Sequence, residues 1–123
     1  MEPVEYVPTY VPTYVTNEEM RDRRADARPY TVAILREGPN YRADGARDII
    51  WEHGRRNYGL RADGRLAIVL PIFDDTDVCG VGVFALGLDE TREVLDVDPA
   101  VKAGVLVFEV HPALGFPGDA LPG

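Results

Sequence analysis

Three stretches of the chain are apolar and rich in β-branched residues without a break: Tyr30 to Leu35 (YTVAIL), Arg65 to Phe73 (RLAIVLPIF) and Val78 to Leu86 (VCGVGVFAL). A fourth, Gly104 to Val110 (GVLVFEV), has the same character. Short apolar runs bounded by Gly, Pro, Asn and Asp read as strands. Between the first and second, ARDIIWEHGRRNYGL changes period: Ile49, Ile50, His53, Asn57 and Leu60 fall on one helical face, and the helix starts at Asp44 or Gly45. Between the third and fourth, LDETREVLDVD reads as a helix, and Asp98-Pro99 opens a short turn. The order β-α-β-β-α-β predicts an α+β domain of the ferredoxin-like, split-βαβ kind, with both helices on one face of an antiparallel sheet. Strands this continuously apolar require cover on the second face too. A second copy of the sheet supplies it most simply, so a homodimer through the sheet face is expected.

Outside this domain, placed at residues 30–112, the pattern changes. Residues 1–29 form a Pro/Tyr/Val arm and a short helix. Thr16-Asn17-Glu18-Glu19 has the form of a capping box. The following MRDRRADAR carries so little apolar surface that its helix must be superficial, and Pro29 is expected to stop it. In EYVPTYVPTYV an extended chain places Tyr6, Pro8, Tyr10, Pro12 and Tyr14 on one side, with Val and Thr on the other. Its prolines leave one edge poor in donors. Such an arm either docks on a sheet edge over the pocket or stays a polyproline-like tail. Residues 113–123 read as a Pro/Gly-rich tail.

Composition narrows the function classes. A chain of 123 residues with net charge -8 suits one domain and offers no basic surface for nucleic acid or an anionic membrane. No apolar run has membrane-spanning length, and MEPVEYV lacks the pattern of a signal peptide. The single Cys79 forms no internal disulfide and suggests a cytoplasmic protein. Asp74-Asp75-Thr76-Asp77 resembles a calcium loop in charge only and reads as a solvated turn. No spacing supports a metal site or a cofactor motif.

Several residues together resemble the YciI-like (YCII-related) domains. They are His53 on the first long helix, Gly64-Arg65-Leu66 opening the second strand, Pro71 closing it, the run Asp96-Val97-Asp98-Pro99-Ala100-Val101-Lys102-Ala103-Gly104-Val105, and Val110-His111-Pro112. The resemblance covers roughly residues 30–112. It implies a dimeric α+β barrel with a site built on His53 and Asp98. It also brings the family's neighbours into view: isomerases and dehalogenases acting on muconolactone-type compounds, polyketide cyclases and cofactor-free monooxygenases. The chain departs from the family at Leu70-Pro71, where Gly-Pro is usual. That leucine is expected to fill space beside a ligand.

The chemistry expected is therefore proton transfer without a cofactor, on a small lactone, enol or polyketide-like substrate. Imidazole titrates near neutrality, so a positioned histidine can take and return a proton. A carboxylate beside it fixes the tautomer and favours the charged form. His53 is the expected acid–base and Asp98 its orienter. Asp before Pro also bonds its own backbone as a turn starter, and a lone histidine on a helix face also serves as core. Tyr58, Leu70, Pro71 and Tyr30 are the expected substrate contacts, although aromatic rings there serve packing equally well. The alternatives are a non-catalytic ligand-binding or interaction module and a cofactor-free monooxygenase.

Overall fold

A computed structural model of the chain describes residues 3–4, 9 and 11–123. Its elements are α1 (Asn17–Ala25), β1 (Arg28–Glu37), α2 (Ala46–Ala62), β2 (Leu66–Pro71), β3 (Val78–Phe84), α3 (Leu88–Asp96), α4 (Pro99–Lys102) and β4 (Leu106–Gly115). The strands form one antiparallel sheet in the order β2-β3-β1-β4. This α+β architecture is compatible with a ferredoxin-like fold. Among the described residues, no helix is long and apolar enough to cross a membrane.

Alternation along β1 sorts the two sheet faces. Thr31, Ala33 and Leu35 are buried, and they join Leu66, Phe84, Leu95, Val105 and Leu106 beneath α2, α3 and α4. Val32, Ile34, Val81 and Val83 on the opposite face are only half-buried. On that outer face, register also sets Leu70 opposite Val81 and Ile68 opposite Val83.

Several boundaries differ from the sequence reading: β2 and β3 each end two residues early, at Pro71 and Phe84, β4 starts at Leu106, and the turn at Asp98-Pro99 continues as the helix α4. Helix α1 ends at Ala25, with Asp26 as its C-cap, before any proline is reached. Pro29 instead lies in β1 opposite Leu114, beyond the reach of β3, whose pairing starts at Thr31. A proline is tolerated where a strand has a neighbour on one side only. Strand β4 continues to Gly115, five residues past the expected end. It is an edge strand, so Pro112 does not break it.

Helix α1 is otherwise as expected: Thr16 caps it by accepting from the Glu19 N–H at 3.1 Å, and none of its residues is buried. Most of the alternating stretch from Tyr6 to Tyr10 lies outside the described residues. Residues 11–16 carry no strand, and Tyr14 is exposed.

A clasp of backbone fixes where α2 begins relative to α4. The Gly38 N–H donates to the Val105 carbonyl at 2.8 Å, and the Asn40 N–H to the Gly104 carbonyl at 2.9 Å. The Asn40 side-chain amide donates to the Ala103 carbonyl at 2.8 Å. A Cβ on Gly38 would fall 2.4 Å from the Gly104 oxygen, and Gly104 itself has φ +71°. Both positions therefore require glycine.

Candidate functional site

His53 sits mid-way along α2, on the face turned to the sheet. Its neighbours on that face, Ile49, Ile50, Asn57 and Leu60, are likewise half-buried. Asp98 reaches the same point from the other half of the chain. The backbone there turns from α3 into α4, and Asp98 is the N-cap of α4. Its Oδ1 accepts from the Ala100 N–H at 2.8 Å, which orients the carboxylate. Its Oδ2 lies 2.8 Å from His53 Nδ1 and 3.4 Å from Arg56 Nη1. The turn-starting role and the histidine-orienting role thus coincide in one side chain, each using its own oxygen.

Asp98 is fully buried. Burial is the strongest single influence on its carboxyl and pushes the pKa up. The hydrogen bond and charge of His53, the Ala100 N–H and the nearby Arg56 guanidinium together outweigh it. The carboxyl is held below its ordinary range and stays ionised. An ionised Asp98 can only accept, so Nδ1 of His53 donates to it. In the neutral ring Nε2 then carries the lone pair, and it accepts from the Asn57 amide at 3.2 Å. A base with its lone pair on Nε2 and a carboxylate behind Nδ1 can take up a proton and be stabilised as imidazolium.

His53 and Asn57 line a cavity of about 580 Å³ between α2 and the β2–β3 side of the sheet. Leu66, Val69, Phe84 and Leu95 form its apolar floor. Pro71 and Tyr58 also line it, although Tyr58 is 72% exposed and lies at the rim. Tyr30 and Leu70 do not line it. Tyr30 belongs to the far end of β1 and packs against Gly115. Leu70 alternates out between Val69 and Pro71, so it does not fill the cavity as expected.

Arg56 and Asn57 are neighbours of the His53–Asp98 pair that residue type did not single out. Their signal was spacing: three and four residues past a histidine, a helix returns to the same side. Cys79 and Tyr41 meet at the cavity wall, and burial pushes both the thiol and the phenol up. The acidic turn is solvated, with Asp74 accepting from the Thr76 N–H at 2.9 Å. Among the described residues, no group of three or more His, Cys, Asp or Glu gathers as metal ligands.

No family model matches the chain, and no curated protein compared with it matches either.

Proposed function

We propose that this chain is a cofactor-independent acid–base enzyme of the YciI-like type, in which His53 moves a proton on a small organic substrate and Asp98 orients it. One observation carries the reading. A fully buried carboxylate stands 2.8 Å behind the Nδ1 of an imidazole that lines the cavity. The apolar floor suits a lactone, an enol or a polyketide-like intermediate, and the reaction is isomerisation, cyclisation or elimination. The half-buried outer sheet face, with Val32, Ile34, Val81 and Val83, supports a ferredoxin-like dimer closed through that face. Lysine at Ile34 would then shift the sedimentation coefficient from dimer to monomer.

A panel of enolisable lactones and 1,3-diketones, incubated in D₂O and followed by proton NMR, tests the chemistry. Accelerated deuterium incorporation by the parent, lost in His53→Gln with the fold intact, is the expected result. Exchange that survives His53→Gln undiminished would sink the assignment.

The rival reading is a non-catalytic binding module. It is favoured by the second bond of Asp98, whose N-cap role gives that residue a structural use without catalysis. Ligand binding without exchange in any member of the panel would select it. Dependence of turnover on dissolved oxygen would instead select the monooxygenase.

A further inference from the structure

The cavity is a groove with unequal ends. It follows α2 from Ile50 to Arg61, about 16 Å at 1.5 Å per residue. Helix α2 runs antiparallel to β1 and β2, so its start lies near Glu37 and the β2–β3 loop, and its end near Leu66. Glu37 and Asp74 stand at the first end and Arg61 at the other. Glu37 is already neutralised by Arg42, at 3.2 and 3.3 Å. Asp74 has one oxygen engaged by Thr76. Arg61 is the one cation among the described lining residues, and none of their carboxylates pairs with it. Its guanidinium lies 6.0 Å from the Tyr58 ring centroid, which gives it a packed neighbour at the rim. Between the ends lie the apolar floor and His53.

We propose that the groove takes an elongated organic carboxylate, with its anionic end on Arg61 and its apolar body along the floor past His53. The proposal rests on the acid–base reading of His53 for its chemistry, but not for its binding geometry. Guanidinium and carboxylate match as planar forks. A monoanion fits better than a phosphate dianion, because Asp74 shares the groove and the whole chain carries net charge -8. The Cα atoms of His53 and Arg61, eight residues apart, are about 12 Å apart along the helix axis, and the Arg61 guanidinium lies over Tyr58, a turn nearer His53. The carbon that exchanges its proton therefore lies several bonds from the carboxylate, not beside it. Short acids cannot span both groups.

Titrations of butyrate, octanoate, octanamide and octyl phosphate, followed by ¹H–¹⁵N chemical shifts, test this directly. Octanoate should bind at least about tenfold tighter than octanamide, the worth of one charge-assisted contact, and tighter than butyrate, which has the charge but lacks the apolar body. Arg61→Gln should erase the difference between acid and amide. Arg61→Lys should restore part of it, and Arg65→Gln, outside the groove, should leave it intact. Equal binding of octanoate and octanamide by the parent would overturn the proposal, as would tighter binding of octyl phosphate or an equal loss of both ligands in Arg61→Gln. The two readings fail separately. Arg61-dependent octanoate binding that persists in His53→Gln upholds the carboxylate even if no substrate exchanges. Exchange on neutral ketones that ignores Arg61 removes the carboxylate and keeps the proton transfer.

Discussion

The sheet carries a histidine–carboxylate pair on each of its faces. His53 meets Asp98 at 2.8 Å on the helix side, and His111 meets Glu109 at 2.8 Å on the outer side. Both carboxyls are held below their ordinary range. For Glu109 the cause is the His111 bond first, then Arg36. What differs is the surroundings. The side chains of the inner pair are 14% and 0% exposed, those of the outer pair 56% and 42%. Glu109 also shares a surface chain of ion pairs, through Arg36 at 3.0 Å to Asp77 at 2.9 Å. On the single chain such a pair is half-exposed and screened, and a dimer through that face would cover it, since His111 and Glu109 stand opposite Val32 and Ile34. Equal distance therefore does not make equal surroundings: burial, an orienting backbone N–H and an adjoining cavity distinguish the inner pair from the outer one.

The strongest way to break this comparison is to disable each pair in turn. Asp98→Asn should cut catalysed deuterium exchange by up to about 10⁴-fold, the cost of losing the carboxylate that fixes a catalytic histidine's tautomer, with Glu109→Gln leaving it unchanged. Equal losses would mean that the outer pair belongs to the site.

Stability should separate the pairs next. Asp98→Ala removes a helix cap and leaves Arg56 and His53 without their carboxylate, so urea denaturation should show a loss of about 3 kcal/mol. Glu109→Ala should lower the midpoint far less, because its partners are half-exposed.

Acid titration sharpens the contrast further. A carboxyl whose folded pKa lies below its unfolded value contributes stability above the unfolded pKa, near 3.9 for Asp, and loses it as the pH falls through the folded value. The parent should therefore lose stability as the pH falls below about 4, and Asp98→Asn should flatten that slope. Glu109 acts in the same direction, but 0.5 M NaCl should suppress its share and spare that of Asp98. Urea midpoints between pH 5 and 2, at two salt concentrations, decide this.

The smallest effect concerns the face on which a residue stands. Leu70→Gly should change octanoate affinity less than about twofold, because the side chain points away from the groove. Val69→Trp, one residue earlier, should block it.

Much of this was legible in the sequence, for identifiable reasons. YTVAIL and VCGVGVFAL could be little else than strands, and the helical spacing of Ile49, Ile50, His53 and Asn57 put the histidine on the buried face. Asp98 was legible twice, as a turn starter and as a partner for His53. The face of Leu70 was not. A register shift between Leu66 and Ile68 interrupts the alternation of β2, so parity counted from Leu66 gives the wrong side. The end of β4 was hidden because His111-Pro112 and Gly115 look like loop residues, and only the pairing with Arg28 to Val32 keeps them in a strand. The reach of Arg61 into the groove depends on how α2 lies over β2, which no local pattern encodes.

Strand order has a further consequence, for synthesis. β1 is a central strand, yet one of its two neighbours, β4, follows all the other elements in the chain. Until β4 is made, β1 presents an unpaired edge with apolar side chains on both faces, a template for pairing with other chains. A premature stop anywhere between Phe84 and Leu106 would therefore yield not a smaller working domain but an aggregating one.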